Sequence, residues 1–384
     1  MNRKLRMGMI GGGSDAFIGA IHRHAANLDG KIELVCGALS INKEIAISSG
    51  RSLFLAEDRI YSTYEEMLEK EAALPADKRM DFVTIVTPNF AHFAPAMKAL
   101  DKGFNVVIEK PITLSLEEAL ELDKKVKETG LILCLTHTYT GYPMVKEAKS
   151  IIAEGKLGKI RKVYVEYRQG WLSRLSEREG NAGAAWRTDA KKSGKSGVMG
   201  DIGTHAFNLT EYITGLQVSE LCANLNVVVD GRALDDDGAV LLRFSNGASG
   251  VLMATQVAAG EENNLVIRIY GENGGLEWHQ HEPNSLLLKW YDKPMETLRA
   301  GSAYLSDLAK HNCRTPGGHP EGYLEAFANL YKNFTLALSA RLNNTTAKDI
   351  VEFPSVAEGI RGMAFIENVV RSNDSNEKWV SYTI

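Results

Sequence analysis

The chain has 384 residues, more than the roughly 250–300 at which a single hydrophobic core stops growing, so two domains are expected, each with its own core. With 44% hydrophobic and 24% charged residues it is excluded from the disordered class, and a net charge of −4 argues against nucleic acid or an anionic membrane as a standing partner. Small molecules are the expected ligands.

The basic start, Met1-Asn2-Arg3-Lys4-Leu5-Arg6, looks like a signal n-region, but the apolar stretch after it breaks into glycines and reads as a strand. No later run is apolar and long enough to span a bilayer, and a cytoplasmic location is expected. From residue 5 to about 135, short apolar runs alternate with amphipathic stretches, the pattern of a parallel sheet with crossover helices. The expected strands are 6–10, 32–39, 82–87, 105–109 and 131–135; the expected helices are 63–71, 94–102 and 116–129, the last with Ser115 and Glu118 as a capping box. These make residues 1–135 a doubly wound α/β dinucleotide-binding domain of the Rossmann type.

After residue 136 the pattern changes to one helix at 144–154, then strands at 162–167, 218–229, 239–244, 250–256, 265–270 and 286–290. Turn signals such as Ser245-Asn246-Gly247 and Glu272-Asn273-Gly274-Gly275 separate several of them, so residues 136–384 are expected to form an α+β substrate and oligomerisation domain with a large, mostly antiparallel sheet. Helices at 323–339 and 355–370 and a strand at 378–384 close the chain. Cys36, Cys134, Cys222 and Cys313 form no CxxC pair, which predicts reduced thiols and neither a disulfide framework nor a zinc cluster. His279 and His281 share a strand face without a third ligand, so no metal site is expected.

Directly after the first strand comes Gly11-Gly12-Gly13-Ser14-Asp15-Ala16-Phe17-Ile18-Gly19, where a dinucleotide fold places its tight turn under the pyrophosphate. Gly11 and Gly13 fit the usual spacing, and the third small position is Ala16 or Gly19; Ser14, Phe17 and Ile18 complete the cofactor segment. The acidic residue that would bind the ribose at the end of the second strand is missing, since the chain reads Ala38-Leu39-Ser40-Ile41-Asn42-Lys43. Ser40 suits a ribose hydroxyl, whereas Lys43 or Arg51 suits a 2′-phosphate. NAD is favoured and NADP stays open.

Two further motifs are Glu109-Lys110-Pro111 at a strand end and Gly200-Asp201-Ile202-Gly203-Thr204-His205 opening a helix. With the glycine loop and Thr87-Pro88-Asn89, they resemble the Gfo/Idh/MocA oxidoreductases over nearly the whole length of the chain. The resemblance implies that Thr87, Pro88, Asn89, His92, Glu109 and Lys110 lie near the cofactor. Independently, carboxyl ends of parallel strands face the ligand crevice, and residues four apart share a helix face, so Lys110 and the pair Asp201 and His205 are the expected catalytic groups. Oxidising a carbinol requires removal of its hydroxyl proton, which assigns Lys110 and His205 to proton transfer and Asp201 to orienting the hydroxyl; the choice of base stays open.

Tyr167-Arg168-Gln169-Gly170-Trp171, Trp186 and Arg187 combine sugar-stacking faces with anion-binding guanidinium groups, and His137, Tyr139 and His319 are further substrate candidates. The first expectation is a dehydrogenase acting on a secondary hydroxyl of a sugar or an anionic sugar derivative. Thr138-Tyr139-Thr140-Gly141-Tyr142-Pro143 and His319-Pro320-Glu321-Gly322-Tyr323 are similar both to levoglucosan-type dehydrogenases and to NAD-dependent redox-neutral glycosidases, with sulfoquinovose glycosides as one substrate type. A non-catalytic dinucleotide or sugar sensor is the third expectation. A half-exposed sheet calls for cover by another subunit, in a homodimer or homotetramer.

Overall fold

The computed structural model describes residues 3–14 and 16–384; Met1, Asn2 and Asp15, the last within the glycine-rich segment, lie outside the described residues. In chain order the N-terminal elements are β1 (Leu5–Gly11), α1 (Phe17–Asn27), β2 (Ile32–Ala38), α2 (Lys43–Ser52), α3 (Tyr64–Ala73), β3 (Phe82–Val86), α4 (Phe93–Asp101), β4 (Asn105–Ile108), α5 (Leu116–Thr129) and β5 (Leu133–Leu135). There follow α6 (Pro143–Ala153), β6 (Lys162–Arg168), α7 (Ala182–Arg187), α8 (Ala190–Ser193), a π turn (Met199–Gly203), α9 (Thr204–Thr214), β7 (Val218–Asn226), β8 (Asp237–Phe244), β9 (Ser249–Thr255) and β10 (Asn264–Tyr270). The last are β11 (Gly274–His279), β12 (Ser285–Trp290), β13 (Glu296–Arg299), α10 (Asp307–His311), α11 (Tyr323–Leu342), α12 (Val356–Asp374) and β14 (Val380–Ser381).

The chain divides into two compact units, one running through Thr138 and taking in Tyr323–Ile360, the other comprising Tyr139–Gly322 and Arg361–Ile384. In the first, five parallel strands run in the order β2-β1-β3-β4-β5. That order reverses direction between β1 and β3, which places a ligand crevice at their carboxyl ends. Register fixes who stands there. Gly11 pairs with Val86, Ile85 with Ile108, and Ile108 with Leu135, so Gly12, Thr87, Lys110 and the Thr136-His137 segment follow along one edge of the sheet. Strand interiors such as Phe82, Val83 and Val106 are fully buried, as a sheet covered on both faces requires. The helix α11 belongs to this unit: Phe327, Leu330, Tyr331, Phe334 and Leu338 pack with Leu5, Met7, Ala25 and Phe82.

Ser115 caps α5 as expected, its Oγ accepting from Glu118 N at 3.2 Å, while Glu118 Oε2 reaches back to accept from Leu114 N at 3.0 Å. The helix α2, which the sequence pattern did not reveal, starts after Asn42, whose Oδ1 accepts from Ile45 N at 3.0 Å; it carries Lys43 as its first residue, and Arg51 pairs with Glu57 at 2.8 Å.

The second unit is built on a nine-stranded sheet, β13-β12-β11-β10-β6-β9-β8-β7-β14, antiparallel except for the parallel β6/β9 pair. Along β6, β9 and β10, Val163, Val165, Tyr167, Leu252, Ala254, Leu265, Ile267 and Ile269 are buried, and α9 packs against β6 and β9. The strand β11 was hidden by its two leading glycines, which read as a turn. It ends at His279, whose Nε2 lies 2.5 Å from Glu277 Oε1, while His281 falls in the turn beyond, so the two histidines do not share a strand. Among the described residues no group of three or more His, Cys, Asp or Glu is arranged to hold a metal, and no helix is long and apolar enough to cross a membrane.

Candidate active site

In the first unit the chain leaves β1 through Gly11 and Gly12, both at positive φ (+78° and +72°). A Cβ on Gly19 would stand 2.3 Å from Gly12 Cα, so the loop and the first turns of α1 touch backbone to backbone. Gly13 N donates to Leu39 O at 3.0 Å, Ala16 N to Gly13 O at 3.0 Å, and Ser14 N to Ser49 Oγ at 3.0 Å. Phe17 and Ile18 open α1, with the Phe17 side chain largely exposed. Ser40 Oγ accepts from Asn42 N at 3.2 Å. The missed member of this loop is Arg23, whose Nη1 donates to Gly12 O at 2.5 Å and whose pKa is lowered by burial.

At the next strand ends, Thr87 Oγ1 donates to Ala91 O at 2.8 Å, and Asn89 begins a short 3₁₀ turn after Pro88. His92 is fully buried, its two ring nitrogens 2.7 Å from Pro111 O and 2.8 Å from Thr87 O, so it ties the end of β3 to the end of β4. Burial lowers its pKa against those carbonyls. The Lys110–Pro111 peptide is cis. The Glu109 carboxylate turns inward: Oε1 meets His22 Nε2 at 2.8 Å and Thr136 Oγ1 at 2.5 Å, and Oε2 accepts from Lys110 N at 3.3 Å. Burial alone would raise this carboxyl, but His22, Thr136 and the nearby Lys110 charge hold it at about 2. His22 Nδ1 in turn lies 2.7 Å from the Tyr331 hydroxyl. His137, one strand over from Lys110, is buried, and desolvation together with the Lys110 charge lowers its pKa to about 3 against the opposing pull of Glu109.

In the second unit Asp201 lies in the π turn and His205 on the first turn of α9. Wide helical turns of this kind concentrate at functional sites. Gln256 Nε2 donates to Asp201 Oδ2 at 2.8 Å, and Arg187 Nε stands 3.3 Å from the same oxygen as an ion pair without hydrogen-bond alignment. The Arg187 guanidinium lies over the Trp186 ring at 4.2 Å and the Trp171 ring at 5.8 Å. His205 is 9% exposed, its ring perpendicular to Tyr139 at a centroid distance of 4.9 Å and 6.3 Å from Tyr167. The two tyrosine hydroxyls hydrogen-bond each other. Burial raises the Tyr139 pKa; its hydrogen bonds with Tyr167 and Asn263 oppose this, and the Asp201 charge adds to it. The unit thus gathers Asp201, His205, Arg187, Trp186, Trp171 and Tyr139.

Arg168 stands elsewhere. It alternates with Tyr167 to the other face of β6, where it meets Glu166 and Glu261, each at 3.7 Å. His319 is exposed in a turn, Nδ1 3.3 Å from Pro316 O. Sequence reasoning gave no role to Gln169, Gln256 and Asn263, which join these residues. The signal was present: each continues the period-2 inward pattern of its strand with an amide where an apolar residue was due.

Residues 5–137 match the family model "Oxidoreductase family, NAD-binding Rossmann fold", and residues 145–277 match "GFO/IDH/MocA C-terminal domain". The chain is 32% identical to uncharacterized oxidoreductase YfiI of Bacillus subtilis (strain 168), covering 100% of this chain and 98% of that protein. Levoglucosan dehydrogenase of Pseudarthrobacter phenanthrenivorans is 25% identical over 98% of each chain. An inositol dehydrogenase homolog from Azotobacter vinelandii, solved with NAD+, is 33% identical with a TM-score of 0.94, covering 100% of this chain and 98% of that one; its complex with NADH and myo-inositol gives 0.91. The first unit is an NAD-binding Rossmann domain. Its loop fits such a ligand, because Gly11 and Gly12 bring bare backbone to the mouth of α1.

Proposed function

The chain belongs to the GFO/IDH/MocA oxidoreductases, and from that premise we propose that it is an NAD-dependent dehydrogenase of a neutral polyol, a sugar or cyclitol oxidised at a secondary hydroxyl. The observation that carries the reading is the Asp201 and His205 pair, a carboxylate and an imidazole one turn apart beside the Trp171 and Trp186 rings. Aromatic faces suit the C–H surface of a polyol ring. The Arg187 charge is already matched by Asp201, which favours an uncharged substrate over a sulfonated or carboxylated one.

Gly11 to Ser14 and the start of α1 would hold the pyrophosphate, Ser40 the ribose, and Thr87 to Asn89 the adjoining edge. Bound NAD supplies the two-electron acceptor. Lys110 polarises the substrate oxygen, His205 takes the hydroxyl proton, and Asp201 accepts a hydrogen bond from a neighbouring hydroxyl, which orients the ring. The relatives named for levoglucosan and inositol support a ring polyol as the substrate class.

The test is NAD reduction recorded together with aglycone release over a panel of cyclitols, anhydrosugars, aldoses, sugar acids and chromogenic glycosides. We expect sustained cofactor reduction by a neutral polyol. Lys110→Met should lower kcat/KM by about 10²- to 10⁴-fold while NADH still binds. NAD-requiring aglycone release without net reduction would establish the redox-neutral glycosidase instead. Turnover confined to anionic sugars would overturn the assignment of a neutral substrate.

A further inference from the structure

Three adjacent strands of the second unit, β10, β6 and β9, end at the same level. Asn264 pairs with Arg168, and Arg168 with Thr255, so Asn263, Gln169 and Gln256 form the next row across the sheet. Neighbouring strands lie about 4.8 Å apart, within reach of one side-chain amide for the next. The contacts are made: Gln169 Nε2 donates to Asn263 Oδ1 at 2.6 Å, and Gln256 Nε2 to Gln169 Oε1 at 3.3 Å and to Asp201 Oδ2 at 2.8 Å. Asn263 Nδ2 donates to the Tyr139 hydroxyl at 3.2 Å, and the Tyr167 hydroxyl donates to Asn263 Oδ1 at 2.7 Å. Trp171 Nε1 also donates to Gln169 Oε1, at 2.9 Å.

Donor counting gives the row one direction. An ionised Asp201 can only accept, so Gln256 must present its NH₂. That NH₂ requires the Gln169 carbonyl, which turns the Gln169 NH₂ toward the Asn263 carbonyl and the Asn263 NH₂ toward Tyr139. Tyr139 must then donate its proton to Tyr167. The Asp201 carboxylate and the Trp171 indole, which can only donate, therefore agree on one direction for the row, and it fixes the hydroxyl orientation beside His205, four hydrogen bonds from Asp201.

The geometry points to Gln256 as a positioning residue of the reaction, the donor that fixes the Asp201 carboxylate and ties it to the row that runs through Gln169 and Asn263 to Tyr139 beside His205. This rests on the dehydrogenase reading for its kinetic consequence. It goes beyond that reading in assigning the row a role in catalysis.

Gln256→Met keeps the volume and removes the donor; Gln256→Glu keeps the shape and sets a second carboxyl against Asp201. Both are assayed for kcat and KM between about pH 8 and pH 5.5, alongside NADH binding by fluorescence and Tm over the same range. Gln256→Met should lose about tenfold to a hundredfold in kcat, equally at each pH, with KM changed less than about threefold. Gln256→Glu should lose more at the high end and recover relative to Gln256→Met as pH falls, because a proton shared by the two carboxyls restores the bond; its Tm deficit should shrink in step. Wild-type kcat in Gln256→Met, or a Gln256→Glu to Gln256→Met ratio that does not change with pH, overturns the proposal. If Gln256→Glu fails to fold, the kcat of Gln256→Met decides. If the wild-type protein oxidises no polyol, the functional reading falls; the Tm difference still reports the row, and a pH-independent difference sinks it.

Discussion

His137 shows how one side chain ties the site to stability. It is 2% exposed beside Lys110, and its folded pKa is about 3 against an ordinary 6.5. Between those values the unfolded chain binds a proton that the folded one refuses, so stability is full above about 6.5 and falls as pH drops toward 3. The whole window corresponds to up to about 5 kcal/mol. Glu109 acts lower down, its folded value of about 2 against 4.5 making its contribution vanish only below about pH 4.5. Urea unfolding at about pH 7 and pH 4.5 therefore spans the histidine window, which His137 shares with the buried His92, and the His137→Gln variant separates the two. His137→Gln should lose about 2 kcal/mol less than wild type between the two, and equal losses would show that another group carries the acid sensitivity. The identity of His137 was legible in the sequence as a residue following a strand. Its charge state was not, because that depends on Lys110 arriving from the neighbouring strand.

At the scale of elements, the entry of α1 is packed backbone against backbone. A Cβ on Gly19 would meet Gly12 Cα at 2.3 Å and Gly12 O at 2.5 Å, closer than real contacts allow. Gly19→Ala should push the glycine loop off the helix, weaken NADH binding at least about tenfold, and cost about 1–3 kcal/mol in stability. Fluorescence titration and thermal melting give both numbers, and wild-type values for the pair would remove Gly19 from the cofactor loop. The choice between Ala16 and Gly19 as the third small position was open in the sequence because spacing alone carries no contact distance. Regular elements were readable where one period repeated: the five parallel strands and α5, with Ser115 at its cap, fall where apolar runs and capping chemistry put them. The π turn at Asp201, the β11 strand beginning on two glycines, and α11 packing on α1 were not. Each is decided by tertiary partners that the local pattern does not name.

At the scale of the whole molecule, the two units use the same device, placing their chemistry on the first row beyond the paired strands. In the first unit that row holds Gly12, Thr87 and Lys110, and in the second Asn263, Gln169 and Gln256. The nine-stranded sheet adds a demand of its own. Its inner face is covered by α9, while on the outer face Tyr164 pairs with Val251 and Val251 with Leu241, with Met253 in the next row; Leu241 and Met253 are 43% and 48% exposed. Arg268 and Glu166 flank this apolar strip as an ion pair at 2.9 Å. Apolar side chains in the centre with charges at the rim are the anatomy of an interface core, and in a two-fold assembly the same patch of a second copy faces it. We therefore expect a dimer or tetramer burying about 800 Å² per partner or more on this face. Leu241→Asp with Met253→Asp would set two carboxylates in its centre, at a cost of several kcal/mol in association. Sedimentation should then show monomer at concentrations where wild type is assembled, with NADH binding kept. An unchanged assembly would place the subunit contact on another surface.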